Sequence, residues 1–229
     1  MLTPEEWTAV RLSLTVAFWA TAWSLPVAVL AAFVLARTEF PGKRLLDGLV
    51  YLPLVLPKVV VGYLLLLTLG ARGLFGQYLD QWFGIRLVFS TSGAAVAAAV
   101  VGFPLMVNAI RLALEAVDRG LELAARTLGA GRLDVFLTIT LPLMLPGIAA
   151  GILLSIASAL GEFGATITFV ANVEGQTRTI PLAIYSATHT PDGDAVAGRL
   201  VLVSVALALG ALLLAGLADR RIRLLIGRT

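Results

Sequence analysis

Glu122–Pro142, ELAARTLGAGRLDVFLTITLP, is a charged amphipathic island set between apolar runs. Around it, Arg111, Glu115, Asp118, Arg119, Glu122, Arg126, Arg132 and Asp134 fall within about thirty residues. A chain that only had to anchor itself in lipid would join its spans with short turns. A loop of this size and charge is instead expected to receive a soluble partner.

Working outward, composition sets the class. The chain has 229 residues, of which 59% are hydrophobic and 14% charged, and its mean hydropathy is +0.95. Those values belong to polytopic membrane proteins rather than soluble domains. The net charge is +3, but the basic residues stand at span ends and form no stripe interleaved with aromatics, which argues against a nucleic-acid partner. The absence of cysteine and the single His189 leave no thiolate site and no imidazole cluster for a metal.

A hydrocarbon core of about 30 Å needs roughly 20 apolar residues in a helix. Five segments qualify, near Val10–Ala36, Leu46–Leu69, Gly93–Leu114, Leu141–Leu160 and Leu200–Leu217. None alternates with the two-residue period of a barrel strand, so the expected fold is an all-α polytopic bundle of five transmembrane helices. One membrane domain covers residues 1–229, with a core of about 10–218 and a loop of about 115–140 between the third and fourth spans. Lys and Arg bias groups Arg37, Lys43 and Arg44, the island, and the tail with Arg220, Arg221, Arg223 and Arg228 on the cytoplasmic side. The amino terminus with Glu5 and Glu6 and the loops 71–92 and 172–199 are then outside. The acidic leading flank and the length of the first span set it apart from a removed signal peptide.

Within the island, Leu121, Ala124, Ala125 and Leu128 share one helical face, and Arg119, Glu122 and Arg126 the other. Glu122 and Arg126 are spaced as an i,i+4 pair. Gly129 and Gly131 allow a sharp stop. A second short amphipathic stretch with Leu133, Phe136, Leu137 and Ile139 then leads to Pro142 in the first turn of the next span. Two shapes fit this pattern: a knob that seats in a partner's groove, or a surface helix lying at the headgroups.

The order Ala124-Ala125, Gly129, nine residues, Ile139-x-Leu141-Pro142 resembles the EAA loop of type-1 ABC importer permeases. There the loop is the coupling helix gripped by an ATPase. The resemblance implies an ATPase-coupling set of Glu122, Ala124, Ala125, Arg126, Gly129, Ile139, Leu141 and Pro142. The family's acid would fall at Leu123, and here the carboxylate is one residue earlier, a turn of about 100°. Phe40-Pro41-Gly42-Lys43, Leu52–Pro57 before Val59–Tyr63, Phe103–Met106, Gly161–Thr166 and Thr177–Pro181 resemble the molybdate permease branch over nearly the whole chain.

That resemblance implies a homodimer in the bacterial inner membrane, two cytoplasmic ATPase subunits that bind ATP and Mg, and an outer oxyanion-binding protein. It implies no catalytic residue, metal or cofactor in this chain, in keeping with the missing phosphate loop and missing catalytic sets. The alternatives are a sulfate or thiosulfate permease, an ATPase-independent channel or carrier, and a membrane scaffold that moves nothing.

Polar groups inside the spans supply the pathway candidates. A central charge costs about 2.5 to 3.5 kcal/mol on insertion scales, so Lys58 requires a partner or water, and Glu162 at similar depth is expected to face it. Glu162 is also placed to fix a bend between Gly161 and Gly164. Ser155, Ser158, Thr166 and Thr168 offer hydroxyls to an oxyanion, or serve as packing residues between helices. The hexamers LPLVLP (52–57) and LPLMLP (141–146) mark two further places where a span can yield.

Overall fold

The computed structural model describes residues 2–226, and every regular element among them is helical. Arg228 of the basic tail lies outside the described residues. The first helix, α1 (Pro4–Arg37), starts where physical chemistry favours it: Pro4 opens the first turn and Thr3 and Glu6 form a capping box. Thr3 N donates to Glu6 Oε2 at 2.7 Å and Glu6 N donates to Thr3 Oγ1 at 3.3 Å. The helix stops at Arg37, where Thr38 turns extended.

The second apolar segment is broken, which corrects the expectation of one helix over Leu46–Leu69. It forms α2 (Lys43–Val55) and α3 (Lys58–Leu69), bent by 117° relative to each other. Pro57 lacks an N–H and its ring clashes with the carbonyl four residues back, while the residue before it is pushed out of the helical region. Leu56 is accordingly extended, at φ −71° and ψ 144°. Lys58 thus opens a new helix instead of lying deep inside one, and its depth does not follow from counting residues along a straight span.

After the short α4 (Gly76–Phe83), Ser90 caps α5 (Thr91–Glu115) by accepting from Gly93 N at 3.0 Å. This is the central helix, packed against α1 on one side and α8 (Leu141–Leu160) on the other. Small residues set the spacing. A Cβ on Gly147 would lie 2.1 Å from Ala113 Cβ, and one on Gly151 3.1 Å from the Met106 carbonyl. Close backbone approach of this kind drives association where lipid provides no hydrophobic force.

The loop after α5 folds as α6 (Arg119–Thr127) and α7 (Arg132–Val135), followed by a π turn (Phe136–Thr140) that runs directly into α8. The expected separate second stretch is therefore the first part of one helix, Arg132–Leu160. On the opposite end lie α9 (Gly164–Val170) and α10 (Ile180–Thr188) before the last helix, α11 (Asp194–Ile226). Among the described residues four helices are each long and apolar enough to cross a bilayer, and the bent α2–α3 pair brings the number to five when it is taken as one broken span.

Three apolar clusters lie along the bundle among the described residues: one around Ala20, Val61, Ala98 and Phe169, a second around Leu35, Met106, Ile110 and Met144, and a third around Ala9, Val10, Ile180 and Leu200. The polar groups separate to the two ends. At one end Arg199 pairs with the buried Glu6 at 2.7 Å, Ser13 Oγ accepts from Ile180 N, and Thr91 donates to the Gln176 carbonyl. At the other end are Arg37, Asp47, Arg111 and the α6–α7 loop.

Candidate functional site

The loop between α5 and α8 is built from local rules. Asp118 caps α6 by accepting from Gly120 N at 2.7 Å. At the other end Gly129 takes a left-handed φ of 93°. Ala130 N then donates to the Ala125 carbonyl and Gly129 N to the Arg126 carbonyl, the paired bonds of a Schellman stop. Gly131 N donates to Asp134 Oδ2, which starts α7. Just before Pro142, Leu141 N reaches the Phe136 carbonyl, five residues back. This widened turn gives the proline ring room inside a continuous helix.

The helix α6 presents its leucines outward and its carboxylate inward. No residue of α6 is buried, Leu121 and Leu123 are exposed, and Leu128 is 89% exposed. Glu122 and Ala125 are the half-buried positions. Glu122 makes no pair with Arg126, contrary to the i,i+4 expectation. Its Oε1 accepts from Arg37 Nη2 at 2.9 Å and from Thr140 Oγ1 at 2.7 Å, and Arg37 also reaches the Leu114 carbonyl at 3.3 Å. Two donors on the bundle side outcompete one exposed neighbour on the same helix.

One carboxylate therefore joins the end of α1, the loop helix and the π turn of α8. In the sequence Arg37 counts only as a topological charge, and nothing local marks Thr140 as a partner of the loop helix. A second joint lies beside it, where Arg111 holds Asp47 of α2 at 2.6 Å and Glu115 at 2.8 Å. In the intervening turn, the hydrogen bond from Lys43, aided by its charge, holds the Glu39 carboxyl below the usual carboxylate range. Ile139, Leu141 and Pro142 are half-buried, with Leu141 and Phe136 packed on the core beneath.

The span candidates divide into two groups. Lys58 Nζ lies 3.2 Å from Glu162 Oε2, with the lysine side chain 49% exposed and the glutamate 1%. Angle keeps that contact from being a hydrogen bond, so Oε2 is held by charge alone. The other oxygen, Oε1, accepts from Ala165 N at 2.8 Å and starts α9 after the break that follows Leu160. A Cβ on Gly164 would meet Lys58 Cβ at 2.9 Å, and one on Gly62 would meet the Ala165 carbonyl at 2.5 Å. Thr168 sits at this crossing and donates to the Gly164 carbonyl. Ser155 and Thr166 are buried: Ser155 of α8 accepts from Thr21 of α1 at 3.1 Å, and Thr166 lies on α9 with 1% of its surface exposed. Both positions are buried among the helices, while Ser158 stays half-buried on α8.

The family profile described as binding-protein-dependent transport system inner membrane component matches residues 24–224. The chain belongs to that family. Among permeases of similar sequence, the molybdenum transport system permease protein ModB of Escherichia coli (strain K12) is 59% identical over 214 residues, 93% of each chain. The ModB protein of Haemophilus influenzae is 52% identical over 223 residues, 97% of each. A crystal structure of a bacterial ABC transporter involved in the import of the acidic polysaccharide alginate matches with a TM-score of 0.76 at 20% identity, covering 96% of this chain and 80% of that one. This last likeness establishes that the permease fold is shared.

Proposed function

We propose that this chain is the transmembrane permease subunit of an ATP-driven importer that carries molybdate, and tungstate by the same chemistry, into the cytoplasm. The observation that carries the reading is 59% identity to a molybdenum permease over 93% of both chains. The exposed leucines of α6 supply the docking surface such a machine requires, and the Arg37–Glu122–Thr140 joint supplies the linkage from that surface to the spans.

In this reading two copies form the gate, two cytoplasmic ATPases bind ATP and Mg, and an outer binding protein delivers the oxyanion. The chain itself hydrolyses nothing and holds no cofactor. The charge-rich end faces the cytoplasm, the amino terminus lies outside and the carboxyl terminus inside, as the Lys and Arg bias favours. Closure of the ATPases pulls on α6 at Leu121, Ala124 and Ala125 and on Leu128 just after it. Glu122 passes that displacement to α1 and to the π turn before Leu141 and Pro142, and the two copies rock between inward and outward access. Of the polar span residues, Lys58 and Glu162 stand at the two helix breaks and Ser158 and Thr168 on the helices beside them, where such a gate would yield.

Uptake of radiolabelled molybdate in a strain deleted for its own permease tests the proposal. Expression of this chain should restore uptake only when the partner ATPase is present, and excess tungstate should compete while equal sulfate should not. Uptake that survives loss of the ATPase would favour a self-contained carrier, and equal competition by sulfate would favour the sulfate branch.

A further inference from the structure

A cavity of about 670 Å³ opens between α1 and the segment from α6 to the π turn, at the level where the bundle leaves the apolar region. Its rim carries Arg37, Arg126 and Arg132, and its wall descends along α1 through Phe33 and Leu30 to Pro26. Arg37 is balanced by Glu122. Arg126 and Arg132 are exposed and make no ion pair or side-chain hydrogen bond among the described residues. The rim therefore presents two uncompensated guanidinium groups above an apolar slot.

Depth narrows the choice of occupant. At 1.5 Å per residue, Pro26 lies about 16 Å below Arg37 along α1, roughly half of a 30 Å hydrocarbon core. A soluble protein docked on α6 does not reach that far into lipid. A second copy of this chain reaches it, but would have to bring a free carboxylate to the rim. Each carboxylate at this end whose side chain the structure describes, which leaves out Asp219 of the tail, is already engaged within its own chain: Glu39 with Lys43, Asp47 and Glu115 with Arg111, Glu122 with Arg37, and Asp118 and Asp134 with backbone N–H groups.

We infer that this cavity is a binding site for an anionic phospholipid, its phosphate held by Arg126 and Arg132 and an acyl chain laid against Leu30 and Phe33. Guanidinium groups bind phosphate in a two-pronged geometry that fixes orientation, and basic pockets between spans on the cytoplasmic side suit acidic headgroups. A lipid there would brace the loop helix against α1 beside the Glu122 joint. The inference needs only that the bundle spans a bilayer, and so stands or falls separately from the choice of molybdate as cargo.

Native mass spectrometry of the full-length chain, purified from membranes and titrated with phosphatidylglycerol or phosphatidylcholine, tests it. Phosphatidylglycerol should be retained over phosphatidylcholine, and R126Q/R132Q should lower its apparent affinity about 30-fold, at roughly fivefold per charge. Leu30→Trp, which fills the slot and leaves the charges, should weaken retention as well and keeps the test informative if the double variant fails to fold. Equal retention of the two lipids would overturn the inference. So would wild-type affinity in both variants, displacement of the lipid by millimolar inorganic phosphate, or a Leu30→Cys crosslink to a second copy that phosphatidylglycerol leaves unchanged.

Discussion

Glu122→Gln removes one charge from the joint between the loop helix and the spans while keeping an oxygen for Thr140. The Arg37 and Glu122 side chains are 11% and 21% exposed, and their contact is 2.9 Å. A hydrogen bond to a charged group contributes about 1.5 to 3 kcal/mol. Partial exposure favours the lower figure, about 1.5 kcal/mol. That corresponds to roughly a tenfold shift toward a loosened joint. Glu122→Ala also strands the Thr140 hydroxyl, which raises the loss to about 2.5 kcal/mol. Thermal unfolding of the four proteins in an Arg37→Gln/Glu122→Gln cycle should give a coupling energy near 1.5 kcal/mol. Because the docking leucines are untouched, the ATPase should still co-purify with Glu122→Gln while molybdate uptake falls about tenfold. A coupling energy below about 0.3 kcal/mol, the additive limit, together with normal uptake would refute the role given to this carboxylate.

Three further outcomes follow from the geometry. Gly129→Asp places a side chain at φ 93° and a charge beside the docking face; co-purification of the ATPase should drop while membrane insertion is kept. Gly147→Ala drives a Cβ to 2.1 Å from that of Ala113, so the α5–α8 crossing must open at a cost of about 1 to 3 kcal/mol, read as a lower unfolding temperature in detergent. Lys58→Met leaves the buried Glu162 carboxylate without its cation. Lysine's exposure reduces the usual penalty for a broken buried pair to about 2 kcal/mol, and adding Glu162→Gln should recover most of it.

Much of the site was legible because its devices are local. Gly129 as a sharp stop and the shared helical face of Leu121 and Leu128 depend on a few neighbouring residues, and the loop's boundaries follow from them. The facing of Lys58 and Glu162 was also within reach, since a charge in lipid demands a partner and few candidates exist. The joint at Glu122 was not. A helical period assigns Arg126 as its neighbour, and only the packing of α1 and α8 against the loop brings Arg37 and Thr140 closer.

By itself the sequence determined that this chain lives in a bilayer as a helical bundle with its charges sorted to two ends. Apolar length and backbone satisfaction in lipid are properties of single segments and require no knowledge of what packs beside them. Tertiary structure alone decided where those segments break. LPLVLP and LPLMLP are nearly identical, yet the first ends α2 at Val55, just before Pro57, and the second passes through Pro146 without a break. Around Pro146, α8 is pressed onto α5 by Gly147 and Gly151, and the π turn before Pro142 absorbs the misfit. Around Pro57, the bend lets Gly62 close on Ala165 and brings Lys58 to Glu162. A proline only weakens a helix at its own position; the contacts that either bend grants or forbids decide whether the helix yields there.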